Sequence, residues 1–115
     1  MALRAYYDAF NRHEPDATAA FLAEDVKWHS VSGDTQAVEG DSRAAIRDWL
    51  TGYFRQFPDV RSDVLELRQT GAHLFVHERA SWTGSDGAKR EQSSLAIYEV
   101  REELIRRAWY FPAAR

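Results

Sequence analysis

The sequence contains no cysteine and only three prolines and six glycines among its 115 residues. Without cysteine the chain can form no disulfide, no thiolate nucleophile and no cysteine-based zinc site. It has no apolar run approaching the roughly 20 residues of a membrane-spanning helix. Its start, MALRAYYDAF, lacks the basic-then-apolar pattern of a signal peptide. We therefore expect a cytoplasmic protein without a membrane partner.

Charges of one sign are not concentrated anywhere in the chain. The formal net charge is −3 and charged residues make up 29% of the sequence. Because a nucleic-acid binder would show a basic stripe, no nucleic-acid partner is expected. The length suits one domain and the sequence shows neither a repeat nor a linker, so residues 1–115 are predicted to form a single domain.

Aromatic residues are abundant, at 13% of the chain, with four tryptophans, five tyrosines and six phenylalanines. Such rings bury large areas. One interpretation is a well-packed core together with a dimer interface. The other is a cavity lined by aromatic rings, and the two are compatible.

Helical periodicity marks the first half of the chain. Apolar residues recur every three or four positions in three segments, and proline and serine or aspartate stand where helices begin. Asp41 or Ser42 is the expected cap of the third helix, and Pro58 ends it. The predicted helices cover 2–12, 15–23 and the segment between that cap and Pro58.

Alternation with a period of two replaces the helical period in the second half of the chain. Gly84-Ser85-Asp86-Gly87 predicts a hairpin turn. Four consecutive strands with short links predict an antiparallel meander. The stretch 32–40 reads as a loop. Strands are expected at 26–31, 60–69, 73–83, 91–100 and 104–111.

Helices that precede strands predict the α+β class. Both faces of the predicted sheet carry apolar residues: Leu95 and Ile97 alternate with Tyr98 and Val100. Helices can cover only one face, and an antiparallel sheet with a solvated face would show a polar set. The other face is therefore a candidate homodimer surface.

Several segments of this sequence are similar to a known superfamily. They are Tyr6 to Asn11, Asp16 to Asp25, Trp28-His29, Gly40 with Ala45-Ile46, Tyr98-Glu99-Val100, and Leu104-Ile105 through Tyr110-Phe111. The chain thereby resembles the nuclear transport factor 2-like superfamily, which includes ketosteroid isomerases, SnoaL-like polyketide cyclases and limonene-epoxide hydrolases. The resemblance implies a cystatin-like cone, in which three N-terminal helices pack in a curved, mostly antiparallel sheet around a ligand pocket. This fold carries enzymes and non-enzymes alike, so it does not settle activity.

The resemblance also implies which side chains face the pocket. From the helices these are Tyr6, Phe10, Trp49 and Tyr53. From the strands they are Trp28 and Ser30; Phe75, His77, Arg79 and Ser81; Ser94, Ala96 and Tyr98; and Arg107, Trp109 and Phe111.

The catalytic residues of the relatives are only partly present. Ketosteroid isomerases pair an aspartate base with a tyrosine and a protonated aspartic acid. Tyr6 matches the tyrosine, but Ser30 stands at the base position and Ser94 at the acid position. The acid that SnoaL-like cyclases often carry in the final strand is replaced by Trp109. The usual mechanisms of these relatives are therefore not expected.

A polar set remains for the pocket. His77 titrates near neutral pH and is a candidate base, although a strand histidine also serves as a structural hydrogen-bonder. Arg79 and Arg107 must meet an internal acid, solvent at the pocket mouth or an anionic ligand, since an unpaired buried arginine is costly. Glu78 is expected to face outward.

Two functional hypotheses follow. In the first, the pocket binds a small, largely apolar carbonyl or carboxylate compound and supports isomerase, cyclase or dehydratase chemistry without a cofactor or metal. In the second, the protein is a non-catalytic homodimeric module for ligand binding or protein association. The candidate catalytic residues are His77, Tyr6 and Arg79; the candidate ligand-binding residues are Phe10, Trp28, Ser30, Trp49, Tyr53, Ser94, Tyr98, Arg107 and Trp109.

Overall fold

The computed structural model describes residues 3–112, in which three helices pack against one six-stranded sheet. The strands lie in the order β2-β1-β6-β5-β4-β3. Every neighbouring pair is antiparallel except β1 with β6, which is parallel. The sheet is curved and open, so the predicted α+β cone is confirmed. The elements are α1 (Leu3–Asn11), α2 (Pro15–Ala19), β1 (Leu22–Ser32), β2 (Thr35–Gly40), α3 (Arg43–Gln56), β3 (Arg61–Thr70), β4 (His73–Thr83), β5 (Lys89–Arg101) and β6 (Leu104–Phe111).

The longest helix, α3, forms where its sequence predicts it. The Ser42 hydroxyl accepts the backbone N–H of Ala45 at 3.1 Å and caps the first turn. Ile46, Leu50 and Phe54, each four residues apart, are buried on one face. In residues 3–112 no helix combines the length and the apolarity that a membrane span requires.

The predicted meander is present as β3 to β6, with boundaries within two residues of those expected. The turn between β4 and β5 contains Gly87 at a φ of +79°, a conformation that glycine adopts at little cost. The turn between β5 and β6 instead places Glu102 and Glu103 at φ of 53° and 66°. Two consecutive residues with positive φ match the hairpin turn whose twist suits the flanking strands.

Two boundary predictions were wrong. The second helix ends at Ala19, and Leu22 already belongs to β1. The stretch 32–40 contains β2, which forms a hairpin with β1 through a turn at Gly33, whose φ is +62°. Most of β2 is exposed, so its sequence carries no alternation that would reveal a strand.

The core lies between the helices and the inner face of the sheet. Residues from every part of the cone contribute, and their burial supplies most of the stabilisation of such a fold. The largest of the fully buried side chains are Leu22, Val26, Val60, Val76, Ile105 and Thr18.

Two β-bulges interrupt the meander and reset which side chains face inward. The pairing of β3 with β4 shifts between Val64 and Glu66. The pairing of β5 with β6 shifts so that Val100 opposes Ile105 while Glu99 opposes Arg107. An extra residue in one strand reverses the face of everything that follows it.

The side chain of Asn11 joins α1 to the edge strand β3. Its Nδ2 donates to the carbonyl of Ser62 at 2.9 Å, and its Oδ1 accepts the N–H of Ser62 at 2.8 Å. Because Ser62 is buried, these groups have little access to replacement water. The pair fixes the position of α1, which carries two cavity tyrosines.

Removing the Asn11 amide tests how much its two hydrogen bonds to Ser62 contribute to stability. Asn11→Ala leaves a buried backbone N–H and C=O without their partner, which costs about 2 kcal/mol. In a domain of this size we expect Tm to fall by roughly 8 °C in differential scanning calorimetry. Asp8→Ala, at an exposed position of the same helix, should leave Tm nearly unchanged. Equal effects of the two substitutions on Tm would show that the Asn11–Ser62 hydrogen bonds do not contribute to stability.

Candidate functional site

The cone holds a cavity of about 450 Å³ between α1, α3 and the inner face of the sheet. Eight of its lining residues are aromatic, and all five tyrosines of the chain are among them. Polar side chains are few. An apolar cavity with a small number of polar groups is the usual form of a small-molecule site.

Seven of the residues expected at the pocket do line this cavity. The helices contribute them because their apolar stripes face the sheet, and β1 and β5 contribute them because their alternation was correctly phased. These residues are Tyr6, Phe10, Trp49 and Tyr53 from the helices, and Trp28, Ser30 and Tyr98 from the strands.

The expected orientation of β4 was wrong. Leu74 and Val76 are buried in the core, so by alternation His77 and Arg79 lie on the outer face of the sheet, where Phe75 is 44% exposed. Neither His77 nor Arg79 lines the cavity. Both faces of β4 carry apolar residues, so the sequence did not decide between them. The sequence-based orientation put Glu78 outside and His77 inside.

The expected orientation of β6 was also wrong. Arg107 and Trp109 lie on the outer face, because the bulge after Ile105 reverses the alternation and turns Ala108 inward. Arg107 pairs with Glu99 through two hydrogen bonds, one of them from Nη2 to Oε1 at 3.1 Å. Its partner is thus an acid of the protein rather than a ligand anion.

Trp109 is held on this outer face by its neighbours. The ring of His29 stacks on it with centroids 5.5 Å apart, and the Arg107 guanidinium lies 5.5 Å from its centroid. These contacts direct the indole away from the cavity.

Glu78 faces the cavity, contrary to the expectation from the sequence. It follows Leu74 and Val76 on the inner face of β4 and is only 8% exposed. The hydroxyl of Ser94, directly opposite on β5, donates to its Oε1 at 3.2 Å. Burial raises the pKa of the Glu78 carboxyl, and hydrogen bonds from Tyr7, Ser94 and Ser62 only partly oppose this.

Ser94 therefore donates a hydrogen bond to the carboxyl of Glu78 and does not itself take the place of an acid. The family resemblance assigns Ser94 to the position of the isomerase's protonated acid. In this chain the neighbouring strand supplies a carboxyl at the same level, since Glu78 and Ser94 are paired across β4 and β5. The Ser94 side chain is buried behind Glu78.

Hydroxyl groups of tyrosines surround this carboxyl. The hydroxyls of Tyr7 and Tyr98 are 2.7 Å apart in the buried part of the site. Tyr6 packs edge-on against both rings, at centroid distances of 5.2 Å and 6.1 Å. The phenols and the carboxyl thus form one polar cluster in an otherwise apolar cavity.

The negative charge of Glu78 acts on every cavity tyrosine. The pKa values of the five tyrosines are raised, first by burial and further by the field of Glu78. The phenols consequently stay protonated at neutral pH and can donate hydrogen bonds. Such donors stabilise an oxygen that becomes negative during a reaction.

Within residues 3–112 no group of three or more histidine, aspartate or glutamate side chains is arranged to hold a metal ion. The polar groups of the site are the carboxyls of Glu78 and Glu39, phenols, serines and an amide from Gln92.

Sequence reasoning missed six polar residues of the cavity. Glu78 was recoverable from the alternation Leu74-x-Val76-x-Glu78 had those two residues been taken as core. The others carry no comparable local signal; Tyr110, for example, is turned inward by the bulge after Ile105. They are Tyr7, Glu39, Ser62, Gln92 and Tyr110.

Comparisons with known proteins agree with this geometry. The profile of the SnoaL-like domain matches residues 3–108. The chain belongs to the SnoaL-like family. Among proteins of curated function, none matches the sequence.

Solved structures show the same fold at low sequence identity. A SnoaL-like polyketide cyclase from Agrobacterium tumefaciens is 21% identical with a TM-score of 0.78, covering 96% of this chain and 87% of its own. A cystatin-fold protein from Novosphingobium aromaticivorans gives 17% and 0.80, with 94% and 92% covered. A ketosteroid isomerase-like fold from Catenulispora acidiphila, in complex with trimethylamine, gives 14% and 0.79, with 94% and 82% covered.

The raised pKa of Glu78 makes a prediction about stability. Both states are protonated well below the unfolded pKa of about 4.3, so Glu78 carries no penalty there. As pH rises, the unfolded state loses its proton first, and stability is lost until pH passes the folded pKa. Glu78→Gln should therefore match the wild type near pH 3 and be more stable than the wild type near pH 7.5, with a higher Tm.

Thermal unfolding between these two pH values measures the difference. Glu91→Gln, an exposed glutamate of β5, is the control and should give a difference that does not change with pH. A stability difference between Glu78→Gln and the wild type that does not change with pH would contradict the burial of the Glu78 carboxyl.

Proposed function

We propose that this protein catalyses cofactor-free proton transfer on a small, largely apolar carbonyl compound bound in the cone. The reaction is of the isomerase, cyclase or dehydratase type. The observation that carries the proposal is the Glu78 carboxyl, buried in an aromatic cavity among hydroxyl donors. A carboxyl with a raised pKa can take a proton from carbon and return it near neutral pH.

Glu78 acts as the general base in the first step. Its carboxylate removes a proton from the carbon next to the carbonyl, so the C–H bond breaks and its electron pair forms an enolate. The protonated Glu78 is then neutral, which relieves the cost of its burial. The proton stays within the site for a second transfer.

Phenols stabilise the enolate oxygen. Tyr7 and Tyr98 are buried and remain protonated, and their hydroxyls lie at the Glu78 end of the cavity. Preorganised donors in a water-poor site contribute more than the same donors in water. Tyr6 is placed to orient these rings.

The enolate has three outcomes that need no cofactor. Return of the proton to a different carbon gives an isomer. Attack of the enolate carbon on a second carbonyl of the same molecule forms a C–C bond and a ring, and the alkoxide left by that carbonyl takes the proton from Glu78. Loss of a hydroxyl from the neighbouring carbon, with the proton supplied by Glu78, gives water and a double bond. The polyketide cyclase among the structural relatives favours the second outcome.

The charge of the cavity favours a neutral substrate. Within residues 3–112, those that line the cavity include two glutamates and no lysine, arginine or histidine. A carboxylate ligand would meet the field of Glu78 without a compensating cation. We therefore propose a neutral carbonyl compound, and not a carboxylate, as the substrate.

Exchange of substrate protons with solvent tests this function. Wild-type protein should accelerate deuterium incorporation into acetylacetone or β-tetralone in D₂O, followed by NMR. Glu78→Gln should lower the rate by about 100-fold or more, as expected for loss of a general base. His77→Ala, on the outer face, should keep the wild-type rate.

The outcomes separate the hypotheses. Exchange that survives Glu78→Gln would remove Glu78 as the base. Binding of the ketones without any exchange would leave the cone as a non-catalytic ligand-binding module.

We also propose that the outer face of the sheet pairs two copies of this chain. Phe75, Ile97 and Trp109 lie side by side on β4, β5 and β6, and Leu95 is 56% exposed beside Phe111. Together with the neighbouring β3, which adds the exposed Leu65, these are four strands. At about 4.8 Å apart and about 30 Å long they present on the order of 600 Å². This approaches the roughly 800 Å² per partner of a standard interface.

Light scattering after gel filtration measures the assembly. We expect a dimer of the wild type and a monomer of Leu95→Glu, because a buried unpaired charge is costly. Ala44→Glu, at an exposed position on α3, should remain dimeric. A wild type that stays monomeric at about 100 µM, far above the Kd of a standard interface, would refute this assembly.

A further inference from the structure

Trp49 lies where the cavity opens to solvent, since it lines the cavity and is also 59% exposed. One face of the indole stacks on Tyr53, with centroids 4.6 Å apart and planes at 16°. Among the ring pairs described within residues 3–112, Trp49 takes part only in this one, and more than half of its surface remains accessible to solvent at the mouth.

Tyr53 gives Trp49 a rigid support. Trp49 and Tyr53 are one turn apart on α3, where side chains four residues apart meet. Tyr53 is itself packed by Phe10 at 6.2 Å and Phe57 at 5.1 Å. The indole is thus the outer end of a row of packed rings, which supports one of its faces.

A close contact between β2 and α3 also borders the cavity. Gly40 ends β2 and lies against α3, where an added Cβ would be 2.8 Å from Cγ1 of Ile46. Ile46 is one turn before Trp49 on the same helix. This close approach fixes the separation between β2 and the helix that presents the indole.

We propose that Trp49 stacks on a planar ring of the substrate at the cavity mouth and makes the protein selective for flat, conjugated carbonyl compounds. The inference rests on the proposed function, because it assumes that the same cavity holds the substrate. A ring parallel to the indole extends the Trp49–Tyr53 stack by one member, in the offset geometry that aromatic pairs favour. The carbonyl then enters the cavity toward Glu78, while the ring covers apolar surface that is otherwise exposed to water.

Two matched ketones test the selectivity. Naphthyl methyl ketone presents a flat ring system, and decalinyl methyl ketone presents a saturated one of similar size. Titration calorimetry should give a tighter Kd for the naphthyl compound with wild-type protein. Trp49→Leu should raise the naphthyl Kd roughly tenfold and the decalinyl Kd by no more than about twofold.

Two further variants separate stacking from general packing. Trp49→Phe restores a flat ring and should recover most of the naphthyl affinity. Val38→Ala shortens an equally exposed apolar side chain on β2 and should change neither Kd. In the exchange assay Trp49→Leu should raise KM for the naphthyl ketone and leave kcat near the wild-type value.

The results distinguish this inference from the function on which it rests. Equal losses for both ketones, or unchanged Kd values, overturn the stacking role while the cavity remains a ligand site. Failure of both ketones to bind wild-type protein overturns both proposals.

Discussion

The inward phase of β4 is the constraint on which the site depends. Leu74 and Val76 are both buried in the core, and side chains two apart on a strand share a face. Glu78 therefore cannot avoid the interior without removing those two residues from it. The hydrophobic burial of two aliphatic side chains, at about 1.5 to 3 kcal/mol each, offsets the cost of burying one carboxyl.

The surroundings of Glu78 reduce that cost without cancelling it. Hydroxyls from Ser62, Tyr7 and Ser94 favour its charged form, and burial still dominates. A cation in the cavity would have removed the penalty and lowered the pKa of the carboxyl. Hydroxyl groups leave it raised, which is the condition that a base acting on carbon requires.

The two faces of the sheet carry different ionisable groups. The same alternation that places Glu78 inside puts His77 and Arg79 outside, beside apolar side chains such as Phe75. On that outer face Glu99 is buried under its ion pair with Arg107. The charged groups are thus paired or exposed on the outer face, and the cavity keeps a single deep carboxyl among rings.

The sequence determined the class of the fold, the three helices and the four strands of the meander, but not β2. Helical periodicity placed Trp49 and Tyr53 on the apolar side of α3, and the family resemblance implied that this side faces the cavity. Strands β4 and β6 carry apolar residues on both faces, so local alternation left their phase undefined. Only the tertiary structure decided that phase, through the burial of Leu74 and Val76 and through the bulge after Ile105, and with it the choice of Glu78 over His77 as the ionisable group of the cavity.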